Sequence, residues 1–248
     1  MVAVVEATVV AVEKLSPSFV RITFAGCAGM RSGGYDQRIK ILLARPGQDR
    51  PLLPEPTDWY GSWCAMPDDT RPVMRTFTIR SQDGDRIDIE FALHGDAGPA
   101  SAWARAAQPG SVLGIIGPGV DDEVKALAYA PGEPPWHLFV GDDTAVPAIA
   151  SILETLPADA SAHVFLQVPD AGDVRELPCA GKTQVTWRIK SGLAEAVRAA
   201  ELPVGEPYAF VAAESALVRD VKKHLCTDRG WDGKAHYFGG YWKAGQTE

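Results

Sequence analysis

Asparagine is absent from these 248 residues. With Ala, Gly, Arg and Asp abundant, that gap reads as genomic compositional bias rather than chemistry. Long apolar runs are missing too. None approaches the roughly 18 residues that a membrane-spanning helix needs, so membrane insertion is not expected. The opening MVAVVEATVV has no basic leader, and Glu6 interrupts its apolar stretch. It is expected to be a strand rather than a secretory signal. Cysteine is scarce and scattered: Cys27, Cys64, Cys179 and Cys226 fit neither a zinc site, an iron–sulfur run nor a disulfide framework. A cytoplasmic chain without a metal of its own is the expectation. Positive charge is in deficit, with 24 Lys and Arg against 32 Asp and Glu and a net charge of −8. That is the wrong sign for a sequence-independent nucleic-acid binder, although one local cationic pocket is compatible with it. There is no internal repeat.

What remains is ordinary globular composition, 46% hydrophobic and 23% charged, arranged in two unlike halves. Up to about residue 120, short β-branched or aromatic runs alternate with Gly, Pro and Asp: Val4–Val12, Val20–Phe24, Ile39–Leu43, Arg75–Arg80, Ile87–Leu93 and Val112–Ile116. Six such strands predict a small antiparallel β-barrel, interrupted by a helix opening at Gly98 and Pro99. Beyond the proline-rich 131–135 segment, strands are predicted at His137–Val140, His163–Val168, Gln184–Ile189 and Tyr208–Ala212. Helices alternate with them, the last with Ser215 as its expected cap. That rhythm predicts an α/β domain with a parallel sheet. The expected domains are 1–130 and 131–248. Residues 46–72 and 169–183 lack periodicity and are expected to be a surface insertion and a crossover loop.

Three segments carry possible chemistry. In Arg75-Thr76-Phe77-Thr78-Ile79-Arg80, arginine can hold a diphosphate, an aromatic ring can stack on a planar cofactor, and threonine can hydrogen-bond a ring nitrogen. A plain amphipathic barrel strand has the same pattern. His94-Gly95-Asp96-Ala97-Gly98-Pro99-Ala100-Ser101 joins a glycine-rich loop to a helix start, where backbone N–H groups and the positive dipole end favour a phosphate. A simple capped helix reads equally well. Gly141-Asp142-Asp143-Thr144-Ala145 occupies the first strand-to-helix turn of the second half, a usual place for nucleotides. It lacks the G-x-G-x-x-G fingerprint, and two aspartates repel a diphosphate. They suit ribose or adenine donors better.

Taken with DQRIKILLARP around Lys40, the stretch FALHGDAGPASAWARAAQPGSVLGIIGPG, HLFVGDDTAVPAIASILETLP and the closing GGYWKAG, these segments resemble the siderophore-interacting protein family. Its members are FAD-dependent ferric-siderophore reductases of the ferredoxin-reductase-like superfamily. The resemblance runs nearly end to end. It implies FAD at the barrel, with Arg75 on the diphosphate, Phe77 packing on the flavin or ribityl chain, Thr78 near the reactive ring edge, and Thr76 also among the cofactor-binding residues. His94 and the loop Gly98, Pro99, Ala100 and Ser101 would hold ribityl and phosphate groups. Asp142, Thr144 and Ala145 would contribute from the second domain. The family usually has tyrosine at Phe77 and glutamate at Asp143, so a tyrosine hydrogen bond does not carry over.

The implied substrate is a ferric siderophore, received by Lys40 and Lys243, with Arg38 and Lys190 as weaker candidates. The resemblance implies that flavin carries the electrons, so no nucleophile, general base or other catalytic side chain is nominated. The five residues that follow Lys243 make a short tail. It is expected to leave the flavin open to NADH or NADPH, with Tyr241 or Trp242 able to cover the ring. A reduced ferredoxin is the other donor. Alternatives are an NAD(P)H:flavin electron-transfer module serving another acceptor, and a siderophore-binding carrier without turnover. A monomer is the default.

Overall fold

Alternation decides the first half. In Ile87, Ile89 and Phe91 every second residue turns inward and is at most 1% exposed, while Asp88 between them is not. A computed structural model describes residues 2–93, 98–123 and 126–245. It divides the chain into two compact units, Met1–Leu127 and Ala128–Glu248.

The first unit carries β1 (Ala3–Ser16), β2 (Phe19–Ala25), β3 (Arg38–Leu43), helix α1 (Trp59–Ala65), β4 (Val73–Thr78), β5 (Ser81–Asp83), β6 (Arg86–Ala92), α2 (Pro99–Ala106) and β7 (Val112–Gly117). Its strands form one antiparallel sheet in the order β4-β3-β7-β1-β2-β6-β5. The barrel expected from the sequence is present, but with seven strands rather than six. The predicted run Arg75–Arg80 bends at Ile79 and Arg80, and the chain continues as β5. Ile79 N–H still bonds Gln37 on the β3 side, whereas Arg80 N–H bonds Asp88 on β6. The two ends of the strand order are therefore consecutive in sequence, which curls the sheet toward closure and limits its open edge. Ile22, Phe24, Ile41, Ile89, Phe91, Leu113 and Ile115 fill its centre, each fully buried.

The 46–72 segment is not featureless. Asp58 accepts from Gly61 N–H and starts α1, whose Trp63 indole donates to the Pro72 carbonyl at 3.0 Å. The Arg71 guanidinium lies 5.0 Å from the Trp63 ring. Seven residues are too few to show a helical period.

The second unit contains β8 (His137–Gly141), α3 (Val146–Leu153), β9 (Ser161–Val168), β10 (Lys182–Ile189), α4 (Leu193–Ala199), β11 (Tyr208–Glu214), α5 (Ser215–Lys223) and β12 (Tyr237–Trp242). All five strands run parallel in the order β10-β9-β8-β11-β12. β8 and β11 are buried along nearly their whole lengths, which accounts for their continuous apolar runs. β12 was not expected, because GGYW offers no β-branched residue and no alternation. The cap of α5 is Glu214, not Ser215: the Glu214 carboxylate accepts Ala216 and Leu217 N–H, and the Ser215 hydroxyl donates to the Trp242 carbonyl instead. No described helix is long and apolar enough to cross a membrane.

Candidate functional site

In the first unit, β4 splits its residues between two faces. Phe77 packs inward, its ring centroid 4.5 Å from Phe91. Phe91 in turn lies 6.0 Å from Trp103 on α2, and Trp103 stacks 6.1 Å from Phe24. This aromatic column ties the predicted cofactor strand to the predicted phosphate-binding helix through the barrel core. Arg75 is half-buried and donates to its neighbour's carbonyl, Met74 O, at 2.8 Å. Thr78 is buried at 8% exposure, and Thr76 is exposed on the outer face. There Lys40 Nζ, directly across on β3, donates to Thr76 Oγ1 at 2.7 Å. Two residues singled out for different reasons are thus one cross-strand pair. Arg38, opposite Thr78, donates through Nε to Ala126 O at 3.2 Å.

Helix α2 starts at Pro99 from an extended Gly98, and no described side chain caps it. Among the described residues, a Cβ placed on Gly98 meets nothing within 4 Å. First-turn N–H groups have no intrahelical acceptors, and with the positive end of the helix dipole they favour a group bearing negative charge here. Ala100 lies in that turn. Ser101 is buried, and its hydroxyl donates to Ala92 O at 3.1 Å, fastening α2 to β6. Its hydroxyl proton is therefore committed within the chain. His94 lies outside the described residues.

In the second unit the strand order reverses between β8 and β11, the switch point at which open parallel sheets place their ligands. The Asp142 to Ala145 turn sits there. Gly141 is required: a Cβ would stand 2.8 Å from both Ala145 Cβ and Ile149 Cδ1 and 3.2 Å from Ala212 O. Asp142, 4% exposed, accepts four hydrogen bonds. Oδ1 takes Thr144 N–H at 3.0 Å and the Thr144 hydroxyl, while Oδ2 takes Glu214 N–H at 2.7 Å and Trp242 Nε1–H at 2.8 Å. Ala145 is fully buried and its N–H bonds Asp142 O at 3.0 Å. The structure brings Asp142, Thr144 and Ala145 together as expected of one turn, but spends these polar groups on the turn and on Glu214 and Trp242. Asp143 is buried beside them, and desolvation, then the Asp142 charge, push its carboxyl up to about 7. Lys243 is exposed just beyond β12. Lys190 follows β10 with a left-handed φ of 66°, its N–H on Val168 O.

The Asp142–Trp242 and Asp142–Glu214 bonds had no signal in the sequence, since their partners lie about a hundred and about seventy residues away. All four cysteines are free, and burial, then Asp85, raises the Cys27 thiol to about 11.

Comparison with known proteins settles the lineage of this two-unit chain. The siderophore-interacting FAD-binding domain matches residues 8–122, and the siderophore-interacting protein domain matches residues 134–245. The ferric vibriobactin reductase ViuB of Vibrio cholerae is 32% identical, covering 94% of this chain and 87% of ViuB. The chain belongs to the siderophore-interacting protein family. Among solved members, SipS from Aeromonas hydrophila is 33% identical with a TM-score of 0.81, covering 100% of this chain and 93% of that one. The siderophore utilization protein from T. fusca is 28% identical with a TM-score of 0.83, covering 99% and 95%. The ferredoxin reductase of carbazole 1,9a-dioxygenase, at 16% identity and a TM-score of 0.67 over 96% of this chain and 67% of its own, shares the fold. This siderophore-interacting protein is thus a ferredoxin-reductase-like two-domain chain, and the barrel that holds its RTFT strand is its FAD-binding domain.

Proposed function

We propose that this siderophore-interacting protein reduces siderophore-bound Fe(III) with electrons from a nicotinamide donor by way of FAD. The observation that carries the proposal is the first unit's own geometry. A half-buried arginine and a core-packed aromatic lie on one strand, coupled through Phe91 and Trp103 to a helix start that no described side chain caps. ViuB's name as a ferric vibriobactin reductase supports the choice of acceptor.

FAD would supply the change from two-electron to one-electron chemistry that joins a hydride donor to a ferric ion. The chain's part is to bind and orient. Arg75 would pair with the diphosphate, whose charge the first turn of α2 at Gly98, Pro99, Ala100 and Ser101 would also meet. Phe77, locked by Phe91, would present a fixed apolar surface to the ring system, while Thr76 and Thr78 project from the strand's other face. Thr144 and Ala145 are assigned to shaping the second unit's turn, with their polar groups bonded to Asp142. Lys40 and Lys243 would receive the ferric complex where it carries negative charge. The electron passed to Fe(III) leaves Fe(II), which hard oxygen donors hold less firmly, so reduction promotes release.

The test is an absorption spectrum of the purified protein with added FAD, followed anaerobically. NADH, then NADPH, then ferric vibriobactin would be supplied in turn. Flavin bands that bleach with a nicotinamide and return with the iron complex are the expected result. Bands that neither nicotinamide bleaches would overturn the donor, and a protein that takes up no FAD would overturn the cofactor assignment.

A further inference from the structure

β12 lies at the edge of its sheet with a partner on one side only, and an edge-strand end is where a chain ordinarily frays. Here it does not hang free. The Trp242 indole donates to the buried Asp142 carboxylate, the Trp242 carbonyl accepts from Ser215 Oγ at 2.8 Å, and Ala244 N–H donates to Glu214 Oε1 at 3.2 Å. Both neighbours of Lys243 are therefore held by side chains, while Lys243 itself is exposed. The register supports the arrangement. β11 and β12 run in step from Phe210 and Tyr237 to Ala213 and Gly240, then shift by one so that Trp242, not Tyr241, stands opposite Glu214. Such a bulge re-aims the side chains that follow it. Gly240 lets the strand come this close, because a Cβ there would lie 2.5 Å from Ser215 Oγ.

We infer that Asp142 is a positioning residue: it clamps Trp242 at the ends of β8, β11 and β12 and so sets where Lys243 is displayed to an anionic ferric complex. The role of Lys243 rests on the proposed function; the clamp rests on the hydrogen bonds alone. The physical reason for a buried carboxylate is strength. A bond from indole N–H to an ionised acceptor is about twice as strong as a neutral one, and removing Asp142 takes away the indole's acceptor, whereas removing the indole leaves Oδ2 bonded to Glu214 N–H. Holding one lysine in place lowers the entropy lost when a ligand arrives.

The clamp can be read without any turnover. Trp242→Phe removes the indole N–H and keeps a ring, while Asp142→Asn turns an amide donor against two N–H donors or against Thr144. Trypsin cleavage after Lys243, timed by intact mass, reports whether the segment is held. We expect cleavage about tenfold faster in Trp242→Phe and faster still in Asp142→Asn. Should Asp142→Asn fail to fold, Trp242→Phe alone decides. In steady-state reduction of ferric vibriobactin by the FAD-loaded protein, KM should rise three- to tenfold in Trp242→Phe, with kcat falling by less. Adding Lys243→Ala to Trp242→Phe should raise KM no further than Lys243→Ala alone. Unchanged cleavage in Trp242→Phe overturns the clamp. Accelerated cleavage together with a Lys243→Ala variant of unaltered KM overturns the role of Lys243 and leaves the clamp standing, so the two failures are told apart.

Discussion

Lys40 on β3 donates a 2.7 Å hydrogen bond to Thr76 on β4, its direct cross-strand partner. The pair joins a residue proposed for the ferric complex to the strand proposed for the flavin. An ammonium held this way has fewer rotamers to lose when an anion approaches. Thr76→Val keeps the shape and deletes the acceptor. KM for ferric vibriobactin should rise about threefold at low salt, the scale of one exposed bond, while far-UV circular dichroism stays the same. A KM that does not move would separate Lys40 from substrate binding.

Arg75 is the sharpest single test of the cofactor assignment. Charge-assisted bonds contribute about 1.5–3 kcal/mol each, so Arg75→Ala should weaken FAD binding roughly 10- to 100-fold. Fluorescence titration of the FAD-free protein measures it directly. Equal affinity in the variant would place the diphosphate elsewhere.

Asp143 makes folding depend on pH. Its carboxyl is raised to about 7 in the folded protein by burial and then by Asp142. The native state therefore binds a proton more tightly than the unfolded chain. The resulting contribution is fully present below the unfolded value near 4 and is lost as pH rises through about 7. Asp143→Asn should remove this slope. Urea unfolding from pH 4 to pH 8 should show the variant gaining on the parent across that window, by on the order of 2–4 kcal/mol. Parallel curves would mean that Asp143 is ionised in the folded protein throughout.

Gly141 tests packing at the switch point. With three atoms within 3.2 Å of any added Cβ, Gly141→Ala must push α3 away from β8. A loss of about 1–3 kcal/mol is expected from overpacking, read as a lower urea midpoint with an unchanged slope.

Local pattern was enough wherever a segment's environment repeats along it. Ile87, Ile89 and Phe91 alternate because one face of β6 is core, and the apolar runs of β8 and β11 reflect burial on both faces. The helix start at Gly98 and Pro99 was legible because proline fits a first turn. The resemblance of RTFTIR and GDDTA to their family segments pointed to the right lineage. Failures were equally physical. α1 was too short to show a period, β12 had glycines where a strand signal needs side chains, and β5 followed from a bend at Ile79 and Arg80 rather than from composition.

The sequence by itself determined the two-part architecture, the barrel strands, the alternating second half and the residues able to carry charge or stack, because these depend on periodicity and residue chemistry along a few neighbouring positions. Only the tertiary structure decided which polar groups are already taken. Asp142 looks like a ligand-facing aspartate in its motif, yet Glu214 and Trp242 reach it from far along the chain and fill its second oxygen. Hydrogen bonds close between distant strand ends through the sheet's register, and register is a property of the folded sheet, not of any one segment.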